Sequence, residues 1–113
     1  VQTCALPISY NKLVRDNIPR IYEQEGKKCV TRILNDDEYK TALLKKLVEE
    51  AAELRDGRTS REEIIKEVGD VQEVVECIIT AFGLDTGEIA RVKEEKKRTR
   101  GSFAKKIFLE SAE

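Results

Sequence analysis

Residues 47–82 read LVEEAAELRDGRTSREEIIKEVGDVQEVVECIITAF, two helical patterns joined at the polar turn Arg55-Asp56-Gly57-Arg58-Thr59-Ser60. Each pattern carries acids three apart, Glu50 with Glu53 and Glu67 with Asp70. A helix turns about 100° per residue. With Glu50 at zero, Leu43, Leu47 and Leu54 fall at about 20–60° and Glu53 at about 300°. With Glu67 at zero, Ile64, Val68, Val71, Val75, Ile78 and Phe82 fall at about 20–100° and Asp70 at about 300°. Each acid pair therefore flanks its apolar stripe on the same rotational edge.

So short a turn predicts antiparallel packing, stripe against stripe. The two-fold axis relating antiparallel partners keeps both acidic edges on one side. Glu50, Glu53, Glu67 and Asp70 are thus expected to converge beside the seam, within about one helical turn of a common level. Four close anions repel by several kcal/mol where the effective dielectric is low. A hard divalent cation relieves that repulsion, and oxygen-only donors point to magnesium or manganese. The opposing reading is a solvated acidic surface, which a chain that is 38% charged makes common.

The 113 residues fit one domain, and a 40% apolar share fits a globular one. A net charge of −1 argues against a nucleic-acid partner. The sequence has no run of 18 apolar residues, the length a membrane span needs, and no signal-peptide pattern is evident. Cys4, Cys29 and Cys77 have neither disulfide-framework nor zinc spacing and read as reduced cytosolic thiols. The chain has no histidine, so Ser-His and Cys-His catalysis are excluded. Base chemistry then falls to carboxylates or to water on a metal. Methionine is also absent, including at position 1, and residues 1–9 read as a disordered or non-native start.

Outward from the hairpin, Tyr10 to Val14 is an extended candidate. Asp16 is expected to cap a short helix with Pro19 in its first turn and Gly26 at its end. Lys28 to Leu34 alternates with β-branched residues, as a strand does. Asn35 with Glu38, Ser60 with Glu63 and Asp85 with Glu88 are capping-box patterns opening three longer helices, near 36–56, 61–82 and 86–98. Gly69 interrupts the second of these at about 1 kcal/mol relative to alanine, which suggests close helix approach there. After the basic run Lys93, Lys96, Lys97, Arg98 and Arg100, Gly101 ends the last helix. Phe103 to Leu109 reads as a final strand, pairing with Lys28–Leu34 or with the N-terminal segment.

The opening Tyr10-Asn11-Lys12-Leu13-Val14-Arg15-Asp16-Asn17-Ile18-Pro19 resembles that of a MazG-like group of house-cleaning nucleotide pyrophosphatases, also described as phosphoribosyl-ATP pyrophosphohydrolase-like. The superfamily signature E-E-x-x-E then E-x-x-D stands here as Glu49-Glu50-Ala51-Ala52-Glu53 and Glu67-Val68-Gly69-Asp70. The basic residues, Gly-x-Phe and short strand that end the group match Lys96 to Leu109. The resemblance covers about residues 10–110 and implies a single domain over 10–113, mainly α, a helical bundle around an antiparallel hairpin with a few peripheral strands. It implies a cytoplasmic, magnesium-dependent hydrolase that splits a nucleoside triphosphate between the α and β phosphates, leaving nucleoside monophosphate and pyrophosphate. By motif position Glu50, Glu53, Glu67 and Asp70 hold the metal, and Glu49 orients the attacking water or binds a second ion. Lys96 and Arg100 match the group's basic positions, and Lys12 and Arg15 are further candidates for phosphate. A homodimer or homotetramer is implied. Alternatives are a phosphoribosyl-ATP pyrophosphohydrolase and a non-catalytic helical interaction protein.

Overall fold

The computed structural model describes residues 8–57 and 59–113. The expected irregular start lies largely outside the described residues, as do Cys4 and, within the hairpin turn, Arg58. The described residues are helical or irregular and contain no strand. Among the described residues four helices follow one another: α1 (Ile18–Gln24), α2 (Asp36–Asp56), α3 (Arg61–Ala81) and α4 (Thr86–Arg100). No helix among the described residues is long and apolar enough to cross a membrane. The chain divides into two compact units, one ending at Phe82 and the other Gly83–Glu113.

Local chemistry sets the helix starts. At α2, Asn35 Oδ1 accepts from the Glu38 N–H at 2.9 Å, and the Glu38 carboxylate accepts from the Asn35 N–H at 3.3 Å. Both halves of the capping box therefore form. At α3, Ser60 Oγ accepts from the Glu63 N–H at 3.2 Å. At α4, Asp85 takes its bond from Gly87, one residue before the expected Glu88, because a carboxylate in this geometry reaches the second helical N–H (3.1 Å). The start of α1 also differs from expectation. Asn17, not Asp16, is the N-cap, and it makes no side-chain cap bond; Pro19 still falls in the first turn, where its missing N–H is harmless.

The three expected strands do not form. In Lys28–Leu34, Val30 and Ile33 are fully exposed, and Phe103, Ile107, Phe108 and Leu109 in the tail are exposed too. Alternation describes a face that a sheet would bury, but a strand exists only with a pairing partner, and a lone extended segment is unstable as one.

In the first unit α2 packs along α3. Glu50 meets Glu67 and Asp70 near the turn, while Tyr39 lies against Cys77 toward the far end, so the helices run antiparallel. Gly57 makes the turn possible: a Cβ there would sit 2.8 Å from the Glu53 carbonyl oxygen. The register that opposes Glu50 and Glu67 also opposes Leu43 and Val74, seven residues farther from the turn. Leu43 and Val74 are the buried apolar residues of the described chain.

The seam is rotated relative to the sequence reading. On α3, Ile64, Val68, Val75 and Phe82 keep about two-fifths of their surface exposed, whereas on α2 the expected Leu43 is buried and Leu47 and Leu54 are half-buried. Glu50 and Glu67, by contrast, are buried. Glu50 and Glu67 therefore stand within the seam, Glu53 and Asp70 beside it, and an apolar edge of α3 is left outside.

Gly69 does not mark a close approach. A Cβ built on it meets nothing within 4 Å, and the residue is exposed. Its flexibility is then only a burden on α3, and Gly69→Ala is expected to stabilise the chain by about 1 kcal/mol. Thermal unfolding checks this; an unchanged or lower midpoint would place a neighbour at that position.

In the second unit α4 is polar over most of its surface, with Ile89 half-buried and Val92 exposed. Gly101, at φ +82, ends it after a basic last turn that suits the helix dipole.

Candidate metal centre

Two helical turns from Leu43 along α2, and two from Val74 along α3, the seam changes from hydrocarbon to carboxylate. Two overlapping groups of acids form there: Glu50, Glu67 and Asp70, and Glu49, Glu50 and Glu53. In each, one oxygen per residue lies within 4.8 Å of the others. Glu50 belongs to both and bridges them. Of the four acids expected to hold a metal, Glu50, Glu67 and Asp70 share one group, while Glu53, which is exposed, joins Glu50 and Glu49 in the other.

The two central acids are the unusual ones. Glu50 keeps 7% and Glu67 8% of its surface, and Oε2 of each is buried with no hydrogen-bond partner among the described residues. Leaving such an atom unsatisfied costs about 1–3 kcal/mol, and more when it is charged. Burial, and next the neighbouring Glu53 carboxyl, push the Glu50 pKa above the usual carboxylate range, against the pull of Lys46. The donor set is all oxygen, the atoms are close, and two of them lack a partner. This arrangement fits a hard divalent cation.

Three cations stand around the acids. Lys46, largely buried, lies 3.2 Å from Glu49 Oε1 and 3.4 Å from Glu50 Oε1. Sequence reasoning missed it, although its spacing of three and four residues to those acids on one helix was a readable signal. Lys12 Nζ donates to Glu49 Oε1 at 3.1 Å, and Arg15 Nη2 donates to Asp70 Oδ1 at 2.8 Å. These two, expected on phosphate, are placed on the carboxylates. The bond to Glu49 holds the Lys12 amine above its ordinary range. Burial pushes the Glu49 carboxyl up, but the bonds from Lys12 and Lys46 outweigh it and hold the group below the usual value. Lys96 and Arg100 lie on α4 in the second unit, four residues apart.

No family model matches the chain. No solved structure matches it. Over 44 residues the chain is 54% identical to an uncharacterized protein of Mycolicibacterium smegmatis, a stretch covering 39% of this chain and 45% of that one. The chain thus spans less than half the length of that relative.

Beside the acids a wide-mouthed depression of about 490 Å³ opens, lined by Glu49, Ala52, Glu53, Asp56, Gly57 and Glu67. Its floor holds acids from both groups, so an anionic molecule entering it needs a cation between itself and the protein. A second hollow, at Tyr39, Glu73, Glu76, Cys77 and Thr80, lies toward the other end of the hairpin. Burial there, then Cys77, raise the Tyr39 phenol pKa, and Cys77 is a half-buried free thiol.

Proposed function

We infer that this chain is a magnesium-dependent nucleoside triphosphate pyrophosphohydrolase of the MazG-like kind, splitting its substrate between the α and β phosphates to clean the nucleotide pool. The observation that carries this reading is the pair of buried carboxylate oxygens, Glu50 Oε2 and Glu67 Oε2, left without partners inside the helix seam. Acids kept for solubility face water. A seam built only to hold two helices together is at least as stable with hydrocarbon at these positions. Retaining two carboxylates there makes physical sense if they bind something doubly charged.

Glu50, Glu53, Glu67 and Asp70 would hold the ion, magnesium or, in its place, manganese. When bound, it offsets phosphate charge and lowers the pKa of a water it carries. The protein's own residues supply the remaining work. Glu49, hydrogen-bonded to Lys12 and Lys46, would orient a water and accept its proton. Lys12 and Arg15, each paired with one of the acids, would offer positive charge to the phosphate oxygens. With no histidine in the chain, base work would fall to a carboxylate or to water on the metal.

A homodimer or homotetramer completes the reading, and the exposed edge of Ile64, Val68, Val75 and Phe82 supports it. The same edge favours the alternative of a non-catalytic helical interaction protein. Assay of pyrophosphate release from a panel of nucleoside triphosphates and from phosphoribosyl-ATP, with magnesium, separates the readings. Turnover of a triphosphate is expected. Preference for phosphoribosyl-ATP would reassign the substrate. Folded protein without turnover, and without heat on titration with magnesium or manganese, would leave the interaction reading.

A further inference from the structure

The cations around the acids are of two kinds. Lys46 belongs to α2 itself, and its side chain is only 15% exposed. It is a built-in counter-ion. Lys12 and Arg15 come from residues 8–17, which form neither strand nor, before α1 begins, helix. Their side chains are 40% and 59% exposed. Lys12–Glu49 and Arg15–Asp70 tie this segment to both helices of the hairpin, one pair on α2 and one on α3. Exposed ion pairs are weak because water competes for both partners. A doubly charged ion competes far better for the same carboxylates, and it repels the two cations at short range.

We propose that residues 8–17 form an exchangeable strap: Lys12 and Arg15 leave Glu49 and Asp70 when a divalent cation binds the acids, and close on the phosphate oxygens of an anionic ligand brought there by that cation. This rests on the reading of the acids as a cation site. The exchange matches like for like, because a guanidinium or ammonium that grips a carboxylate also grips a phosphate oxygen. It has a catalytic consequence. Lys12 and Lys46 share Glu49 Oε1, and withdrawal of Lys12 leaves that oxygen with one donor instead of two, open to a water. The strap thus couples ligand capture to the freeing of Glu49. The linkage is reciprocal: whatever the strap pairs contribute to the cation-free protein is lost from cation affinity.

The test uses the full chain, labelled with ¹⁵N, and magnesium chloride. In calorimetry the double variant Lys12→Gln/Arg15→Gln is expected to bind magnesium about three- to tenfold more tightly than the parent, because two nearby positive charges are gone. In relaxation measurements the backbone of residues 12–15 is expected to be ordered without magnesium. Saturating magnesium should lower its order parameters toward about 0.6, and added magnesium pyrophosphate should raise them again. Magnesium binding to the parent with residues 12–15 unchanged, or with no tighter binding by the variant, overturns the strap and leaves the cation site standing. Release by magnesium without return on pyrophosphate overturns the capture step. No magnesium binding by either protein removes both the site and the strap.

Discussion

Glu50→Gln is expected to lower pyrophosphate release by more than about 100-fold while making the metal-free protein more stable. Glu50 is shared by both groups of acids, so its loss breaks each of them. Losing mere outer-shell partners of a metal ligand costs about 10–100-fold, and a shared ligand should exceed that. The gain in stability has a separate origin. An ionised carboxylate that is 93% buried, with one oxygen unpartnered and another carboxyl beside it, is replaced by a neutral group of the same shape. That relief is worth about 1–2 kcal/mol. Its sign with pH follows from the raised pKa. Below about pH 4 Glu50 is protonated folded or unfolded, and the variant has no advantage. As the pH rises through the ordinary carboxylate range and past the raised value, the folded parent must ionise a buried group, and the advantage grows to its full size. Thermal unfolding in a chelator at about pH 4 and about pH 8 measures both limits. Added magnesium should then stabilise the parent and leave the variant unmoved. Full activity in Glu50→Gln would remove Glu50 from the metal site.

Leu43→Ala is expected to destabilise the chain by about 3–4 kcal/mol. Leu43 keeps only 2% of its surface exposed, the least of any described side chain, and Val74 opposes it across the seam. Few other side chains share the load, and native stability is on the order of 5–15 kcal/mol, so such a loss takes much of the total. Val48→Ala, on the same helix but 70% exposed, should cost less than about 0.5 kcal/mol. Denaturant unfolding of both variants makes the comparison. The effect should extend to the site, because Leu43 and Val74 hold the helices at the separation that brings Glu50 to Glu67, two turns away. A small loss at Leu43, comparable with that at Val48, would mean the hairpin is held together elsewhere.

The amino-acid sequence alone determined the helices and the grouping of the acids. Asn35, Ser60 and Asp85 stand as polar caps, and Gly57 closes the turn, so α2 and α3 had little choice but to fold back on each other. Acids three apart on each helix then share one edge by helical geometry. Tertiary structure decided how far each helix turned about its own axis. An apolar stripe about 100° wide is broader than the line along which two helices touch, so a pair can bury only part of it. Here the contact on α3 settles on the side of its stripe next to the acids. Glu50 and Glu67 are drawn inside, and Ile64, Val68, Val75 and Phe82 remain outside. The pairings of Lys12 with Glu49 and Arg15 with Asp70, across 37 and 55 residues, were likewise beyond local pattern, because only the folded chain brings those atoms together. The strands read from alternation failed for the complementary reason: a strand is a property of a pair of segments, and no such pair forms among the described residues.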